Sequence, residues 1–284
     1  MTDTLDVDHL KHWVGAEETQ SDILTPSLVE RFHATLALPG AVPEWGAPAP
    51  RLIHFCLCQP AAPMGALGED GHPARGGFLP PVALPRRMWA GSNIAFEGDL
   101  LVGETVTRHS RIADVVVKEG RTGTLCFVTV DHEISGEGSI VARDRQTIVY
   151  RALEPAAAPA RTIDPAPLGD TVVTLMATPP LLFRYSALTF NGHRIHYDTP
   201  YATGVEGYRG LVVHGPLQAT MLLHLAARLH GGTPPDHFSF KSVSTLFDCD
   251  LVGLHAGKIE GGKLSLWTAR PDGPVAMQAE ASWA

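Results

Sequence analysis

Thr189-Phe-Asn-Gly-His-Arg-Ile-His-Tyr-Asp198 places an amide, Asn191, five residues before an imidazole, His196, on one irregular turn. After a loop comes Gly210-Leu-Val-Val-His-Gly-Pro-Leu217. An imidazole titrates near neutrality and can take a proton from water. A carboxamide cannot, but its carbonyl oxygen can hold one. Gly215-Pro216 reads as a helix start, since proline suits the first turn. The N–H of Gly215 is then free to meet developing negative charge. Asn191, His196 and Gly215 are therefore the candidate catalytic set, a water-activating pair beside an anion hole.

Other readings compete for these residues. In Phe-Asn-Gly, Asn191 is equally a turn residue. His193, His196 and Asp198 have the chemistry of metal ligands, but no further ligand cluster accompanies them and no metal is expected. His214 can cap or pack the helix it precedes, or contact substrate. Arg86, Arg87, Arg184 and Arg194 are candidates for binding phosphates or a carboxylate, because a guanidinium fork fits both. Trp89 and Phe78 either wall an acyl pocket or pack in the core, and His224 reads as a core or interface histidine.

The chain that must position these groups is globular by composition, with 44% hydrophobic and 18% charged residues. A net charge of -8 and the lack of any basic run interleaved with aromatics remove nucleic acid from the expected partners. No apolar run reaches the ~18 residues of a membrane span. The acidic start Met-Thr-Asp-Thr-Leu-Asp lacks signal-peptide character, so a cytoplasmic protein is expected. The four cysteines, at 56, 58, 126 and 249, include no Cys-x-x-Cys pair. Cys56 and Cys58 alternate along an apparent strand and are expected to be buried, reduced thiols.

Prolines and alanines across residues 154–168 remove backbone donors and read as a linker. The segments on either side echo each other. Asp99–Gly103, Thr124–Val130 and Ile140–Tyr150 correspond in order and character to Asp250–Gly253, Lys263–Ala269 and Val275–Trp283. Each set follows a helix candidate. Thr25-Pro26 starts one, with Leu28, Val29, Phe32 and Leu36 at helical spacing before Pro39-Gly40. Gly215-Pro216 starts the other, where Leu217, Met221, Leu225 and Leu229 form a stripe that Leu222, Leu223, Ala226 and Ala227 widen before Gly231-Gly232. Alternation at Phe238, Phe240, Val243 and at Leu264, Leu266 suits a sheet with one face on that helix. The fold class expected is α+β, a double hot-dog: two antiparallel sheets, each wrapped around a long helix, paired edge to edge within one chain.

The stretch 189–198 resembles the hydratase motif of the MaoC-like, (R)-specific enoyl-thioester hydratases and dehydratases, with Asn191 where that family usually has aspartate and His196 where it has histidine. Val213-His214-Gly215 is similar to the family's Val/Ala-His-Gly segment, whose glycine N–H holds the thioester carbonyl. Asp70-Gly-His-Pro-Ala-Arg-Gly-Gly-Phe-Leu-Pro-Pro-Val-Ala-Leu-Pro-Arg-Arg-Met-Trp-Ala-Gly91, with Lys118–Val130, resembles the family's double hot-dog branch. That branch includes hydratases of mesaconyl-C4-CoA and itaconyl-CoA and the mitochondrial type 2 hydroxyacyl-thioester dehydratases.

The resemblance implies a hydro-lyase that reversibly converts a 2-enoyl-CoA to a 3-hydroxyacyl-CoA, with a short branched dicarboxylic acyl group and citramalyl-CoA as product. Coenzyme A enters as part of the substrate and no cofactor is expected. A dehydratase of fatty acyl thioesters, a hot-dog thioesterase and a non-catalytic acyl-CoA-binding module are the alternatives. Residues 1–153 are expected to form a pocket-forming hot-dog domain without the catalytic pair, since no Asn/Asp-x4-His precedes its helix. Residues 169–284 form the catalytic one. A homodimer or higher homo-oligomer is expected.

Overall fold

The protein is described from a computed structural model covering residues 5–120, 123–152 and 164–284. The first half contains α1 (Val7–Lys11), β1 (Glu17–Ile23), α2 (Pro26–Leu36), β2 (Arg86–Phe96), β3 (Thr105–Gly120), β4 (Gly123–Gly136) and β5 (Ser139–Arg151). The second contains β6 (Thr171–Met176), α3 (Pro179–Leu188), α4 (Thr199–Gly204), α5 (Gly215–Leu229), β7 (His237–Ser242), β8 (Leu251–Ala256), β9 (Lys263–Ala269) and β10 (Val275–Ser282). All strands join one ten-stranded antiparallel sheet in the order β1-β3-β4-β5-β2-β7-β10-β9-β8-β6. Read from each outer edge inward, the halves have the same order, so the repeat seen in the sequence is a repeat of topology.

The inner edges β2 and β7 pair in register from Gly91↔Lys241 to Ala95↔His237, which makes the two expected sheets continuous. At this seam Ile94 lies opposite Phe238, both fully buried. Gly91 permits the approach, because a Cβ there would collide with the carbonyl oxygen of Phe240.

Helix α5 begins with proline in its first turn, is rich in Leu and Ala, and stops before Gly231 and Gly232, both at positive φ. Its buried residues include Leu217, Gln218, Ala219, Leu222, Leu223, Leu225 and Ala226, facing the second half's strands. One polar bond crosses that interface, from the Thr268 hydroxyl to Gln218 Oε1 at 2.7 Å. Leu264 and Leu266 are buried as the alternation predicts. Val243, however, lies beyond the end of β7 and is exposed.

Helix α2 is capped by Thr25 and ended by Ala37 in the left-handed region, two residues before the expected Pro39-Gly40 stop. It packs against α3, and its Phe32 ring meets His224 of α5 edge-on at 6.2 Å. The first-half helix thus leans on the second half, and the main hydrophobic cluster contains residues of both.

The strand expected at Cys56 and Cys58 is a 3-10 turn, Ile53–Cys56, between left-handed residues Leu52 and Cys58. Residues 52–58 are buried without a break, so no alternation exists to build a sheet face. Cys56, Cys58 and Cys126 are buried free thiols and Cys249 is an exposed one. Most of the expected linker lies outside the described residues. Its last part, residues 164–168, is tied to the second half, with Ala166 N–H donating to Gly273 O at 2.8 Å and Trp267 Nε1 to Pro167 O at 3.0 Å. Among the described residues no helix is long and apolar enough to cross a membrane.

Candidate active site

The loop after α3 is shaped by local bonds. Thr189 Oγ1 donates back to Tyr185 O at 2.8 Å, Phe190 takes the positive φ, and Asn191 N–H donates to Ser186 O at 2.8 Å. Asn191 Oδ1 accepts from His193 N–H at 2.9 Å, an Asx turn. The turn reading of Asn191 therefore describes its geometry, and one oxygen lone pair remains for a water.

His196 closes the 3-10 turn Arg194–His196 and is buried. Its Nδ1 lies 2.7 Å from Val212 O, which requires the proton on Nδ1 and leaves the Nε2 lone pair unprotonated. Burial pushes its pKa down to about 4, against the pull of the Val212 hydrogen bond. At neutral pH it is a neutral base.

The same ring stacks on His214, with centroids 3.6 Å apart. His214 is the residue before Gly215, so His196 sits against the start of α5. His214 Nε2 bonds Ser186 Oγ at 2.8 Å and Tyr185 meets its ring edge-on at 5.2 Å. Its Nδ1 is buried with no partner among the described residues. Burial first, with His196 and His193 as neighbours that oppose a further positive charge, holds the His214 pKa well below the usual imidazole value.

Gly215 is the first residue of α5 and has no intrahelical acceptor for its N–H. The position a Cβ would take there lies 3.4 Å from Ser242 Oγ, 3.8 Å from Met277 Cε and 3.8 Å from the Trp89 carbonyl oxygen. Trp89, on β2, is fixed by Nε1 bonds to Gly91 O and Ser92 Oγ, both 3.1 Å, and by Phe55 and Phe240. The seam between the halves thus carries first-half atoms to the helix start.

Sequence reasoning singled out neither Asp70 nor His72 as a site residue. Their loop docks on the loop that carries Asn191 and His196: Arg194 N–H donates to Asp70 O at 2.9 Å, and Gly71, at φ +86, presses on the Gly192 backbone. Asp70 Oδ2 bonds His72 Nδ1 at 3.0 Å. The His72 ring lies 4.2 Å from His193, which is edge-on to His196 at 5.5 Å. Burial works against the Asp70 charge, but the His72 bond outweighs it and holds the carboxyl below its usual range. Burial, followed by His72 and His196, pushes His193 to about 2.

Asp70, His72 and His193 have donor atoms within 4.8 Å of one another, a set that suits a divalent ion of the zinc kind. The set weighed from sequence included Asp198, which is committed elsewhere: it pairs with Arg194 at 2.7 Å and caps α4 through Tyr201 N–H.

The arginines separate cleanly. Arg86 Nε pairs with Glu206 at 2.9 Å and stacks over Tyr208, with both partners' side chains 10% exposed. Arg194 stacks over Tyr201 and reaches Glu69 O. Both hold the fold together. Arg184 is exposed on α3. Arg87 lies opposite the buried Tyr150 in the β2–β5 register and has no carboxylate partner among the described residues. Phe78 packs in a first-half cluster with Val82.

Known proteins share this architecture. The crystal structure of a MaoC-like dehydratase from Phytophthora capsici superposes with a TM-score of 0.70 at 16% identity, covering 99% of each chain. A Mycobacterium tuberculosis protein described as a double hot-dog superposes at 0.55 with 14% identity, over 95% of this chain and 96% of that one. These likenesses concern the fold. In sequence, the mesaconyl-C(4)-CoA hydratase of Chloroflexus aurantiacus is 43% identical over 270 residues, 94% of this chain and 95% of that protein. The family model described as hydroxyacyl-thioester dehydratase type 2 matches residues 52–248, a span holding His196, Gly215 and the loop that docks on them. The chain belongs to the family of type 2 hydroxyacyl-thioester dehydratases.

Proposed function

We propose that this chain reversibly adds water to mesaconyl-C4-CoA, giving citramalyl-CoA, with His196 as the acid–base. The observation that carries the mechanism is the Nδ1 bond of His196 to Val212 O at 2.7 Å, which leaves Nε2 as the base beside the first turn of α5. Identity of 43% to a hydratase of that name supports the substrate.

His196 Nε2 takes a proton from water while the water oxygen bonds to Cβ. The π electrons move toward Cα and the thioester carbonyl, giving an enolate. Gly215 N–H meets that oxyanion, and losing such a donor typically costs about 3 kcal/mol. The imidazolium then returns its proton to Cα, so one ring serves both transfers. Asn191 steadies the water through its remaining lone pair. His214 and Trp89 line the acyl group at the helix start in this reading. No cofactor takes part beyond the coenzyme A of the substrate.

In this reading residues 169–284 carry the catalysis, residues 1–153 build the pocket, and 154–168 join them. The free thiols suit a reducing compartment and support a cytoplasmic setting. A homodimer or larger homo-oligomer is the proposed assembly.

Incubation with mesaconyl-C4-CoA, itaconyl-CoA and crotonyl-CoA, following the conjugated thioester absorbance and free thiol, tests the proposal. Loss of absorbance without thiol release, fastest for mesaconyl-C4-CoA, is expected. Thiol release would make the chain a thioesterase, and preference for crotonyl-CoA would make it a general enoyl-thioester hydratase.

A further inference from the structure

The proposed substrate makes a demand that water activation alone does not meet. In mesaconyl-C4-CoA the carbon attacked by water, Cβ, also bears the free carboxylate. That anion is one bond from the carbon that the His196-activated water attacks, and its charge opposes addition of an oxygen nucleophile there. A cation beside the carboxylate would both seat the substrate and offset that charge.

Resting on the proposed reaction, we infer that Arg87, with His193 and His72 beside it, is the seat of the carboxylate on Cβ and determines the preference for dicarboxylic acyl groups.

Three geometric observations converge on it. Arg87 and Trp89 are two residues apart on β2, opposite Tyr150 and Ile148 in register, and so share the sheet's inner face. The Trp89 carbonyl oxygen lies 3.8 Å from the place a Cβ on Gly215 would take, so Arg87 is two residues along β2 from the strand's contact with the start of α5. The Arg75 guanidinium lies 6.0 Å from the Tyr150 ring centre, in the loop that carries His72. The His72 ring in turn meets His193, which meets His196. Arg87 thus stands near the row of rings that runs from His72 through His193 to His196. The charge of Arg87 is felt at both histidines.

The charge balance points the same way. The neighbouring Arg86 is neutralised by Glu206. Arg75 is occupied by the carbonyls of Val82 and Pro85, at 2.6 and 2.7 Å. The acid in this corner, Asp70, is already bonded to His72. Arg87 is half-buried and has no carboxylate of the described chain to pair with. Its side-chain partner is the Tyr150 hydroxyl, and a partly buried guanidinium that meets a hydroxyl but no carboxylate can receive an anion from outside, its planar fork matching a carboxylate.

The test is a cycle between the charge on the substrate and the charge at residue 87. Wild-type protein and Arg87→Met are each assayed with mesaconyl-C4-CoA and with its methyl ester at the free carboxyl. Wild type is expected to prefer the acid by about 100-fold or more in kcat/KM, the scale of removing one partner from a buried charge pair. In Arg87→Met the preference should collapse to within a few-fold, while Arg87→Lys should keep part of it. Circular dichroism confirms folding; should the Met variant not fold, Arg87→Gln reads the same ratio. A preference for the acid that survives loss of the guanidinium overturns the inference and leaves the hydratase reading standing. Wild-type protein that hydrates crotonyl-CoA but not mesaconyl-C4-CoA overturns the substrate reading itself.

Discussion

The imidazole of His196 lies over that of His214, their planes 17° from parallel. One ring is pinned by Val212 O and the other by Ser186 Oγ, so neither can turn without breaking a buried bond. The imidazole proposed as the base is therefore held in one orientation against the residue that leads into α5.

Replacing His196 with alanine should lower kcat by about a hundred- to ten-thousand-fold, the usual share of a positioned acid–base. Binding of a non-hydratable acyl-CoA, measured by calorimetry, should change little. Hydration near the wild-type rate in this variant would remove His196 from the mechanism.

The pH profile of hydration should reflect the depressed pKa of about 4. Only the neutral ring accepts a proton, so kcat/KM should be flat between pH 5 and 8 and fall below that range. An acid limb centred near the ordinary value of about 6.5 would mean that the ring is not buried during catalysis.

Stability should fall on acidification over a defined window. Burial first, with arginines nearby, pushes His54 and His132 down to about 3. Between about 6.5 and 3 the unfolded chain binds protons that the fold refuses, so unfolding is favoured as pH drops. The contribution is complete above about 6.5 and lost through about 3, at about 1.4 kcal/mol per unit of depression. A melting temperature that declines from pH 7 to pH 5, with a shallower slope in His132→Gln, is the expected result.

Gly71→Ala separates docking from folding. A Cβ at residue 71 would strike the Gly192 carbonyl at a backbone angle that side chains rarely adopt. The first-half loop should lift from the catalytic loop, reducing kcat/KM by about tenfold or more, as a small misplacement near the chemistry does. Far-ultraviolet circular dichroism should stay native.

Arg86→Met should act on stability instead. It strands Glu206 in a nearly buried site, and breaking such a pair costs about 3–5 kcal/mol. Chemical denaturation should show that loss. A variant that unfolds like wild type but no longer binds acyl-CoA would reassign Arg86 to the substrate.

The legible parts of the sequence were the local ones. Pro216 and Gly231 bound α5 by backbone preference alone, and the paired apolar segments predicted the repeated strand order. His196 was visible because a short motif carries it. Asp70 and His72 were quoted only within a resemblance, because nothing local connects them to a loop they reach across a separation of more than a hundred residues. The same distance hid the Glu69–Arg194 contact, 125 residues apart. The strand read at Cys56 and Cys58 failed for another reason. Two cysteines sampled one parity, while Ile53, Phe55 and Leu57 between and before them are also apolar and buried. Continuous burial needs a compact turn, not a sheet face. Arg86 and Arg87 were indistinguishable as letters, and only the position of Glu206 tells them apart.

In a solitary hot-dog unit the strand equivalent to β2 or β7 is an open rim that must find a twin by diffusion. Here each rim covers the other. Assembly of the pair is then independent of concentration, and the copies are released from having to stay identical. A loop of one then finds its docking place on the other within a single chain, at the contact of Gly71 with Gly192.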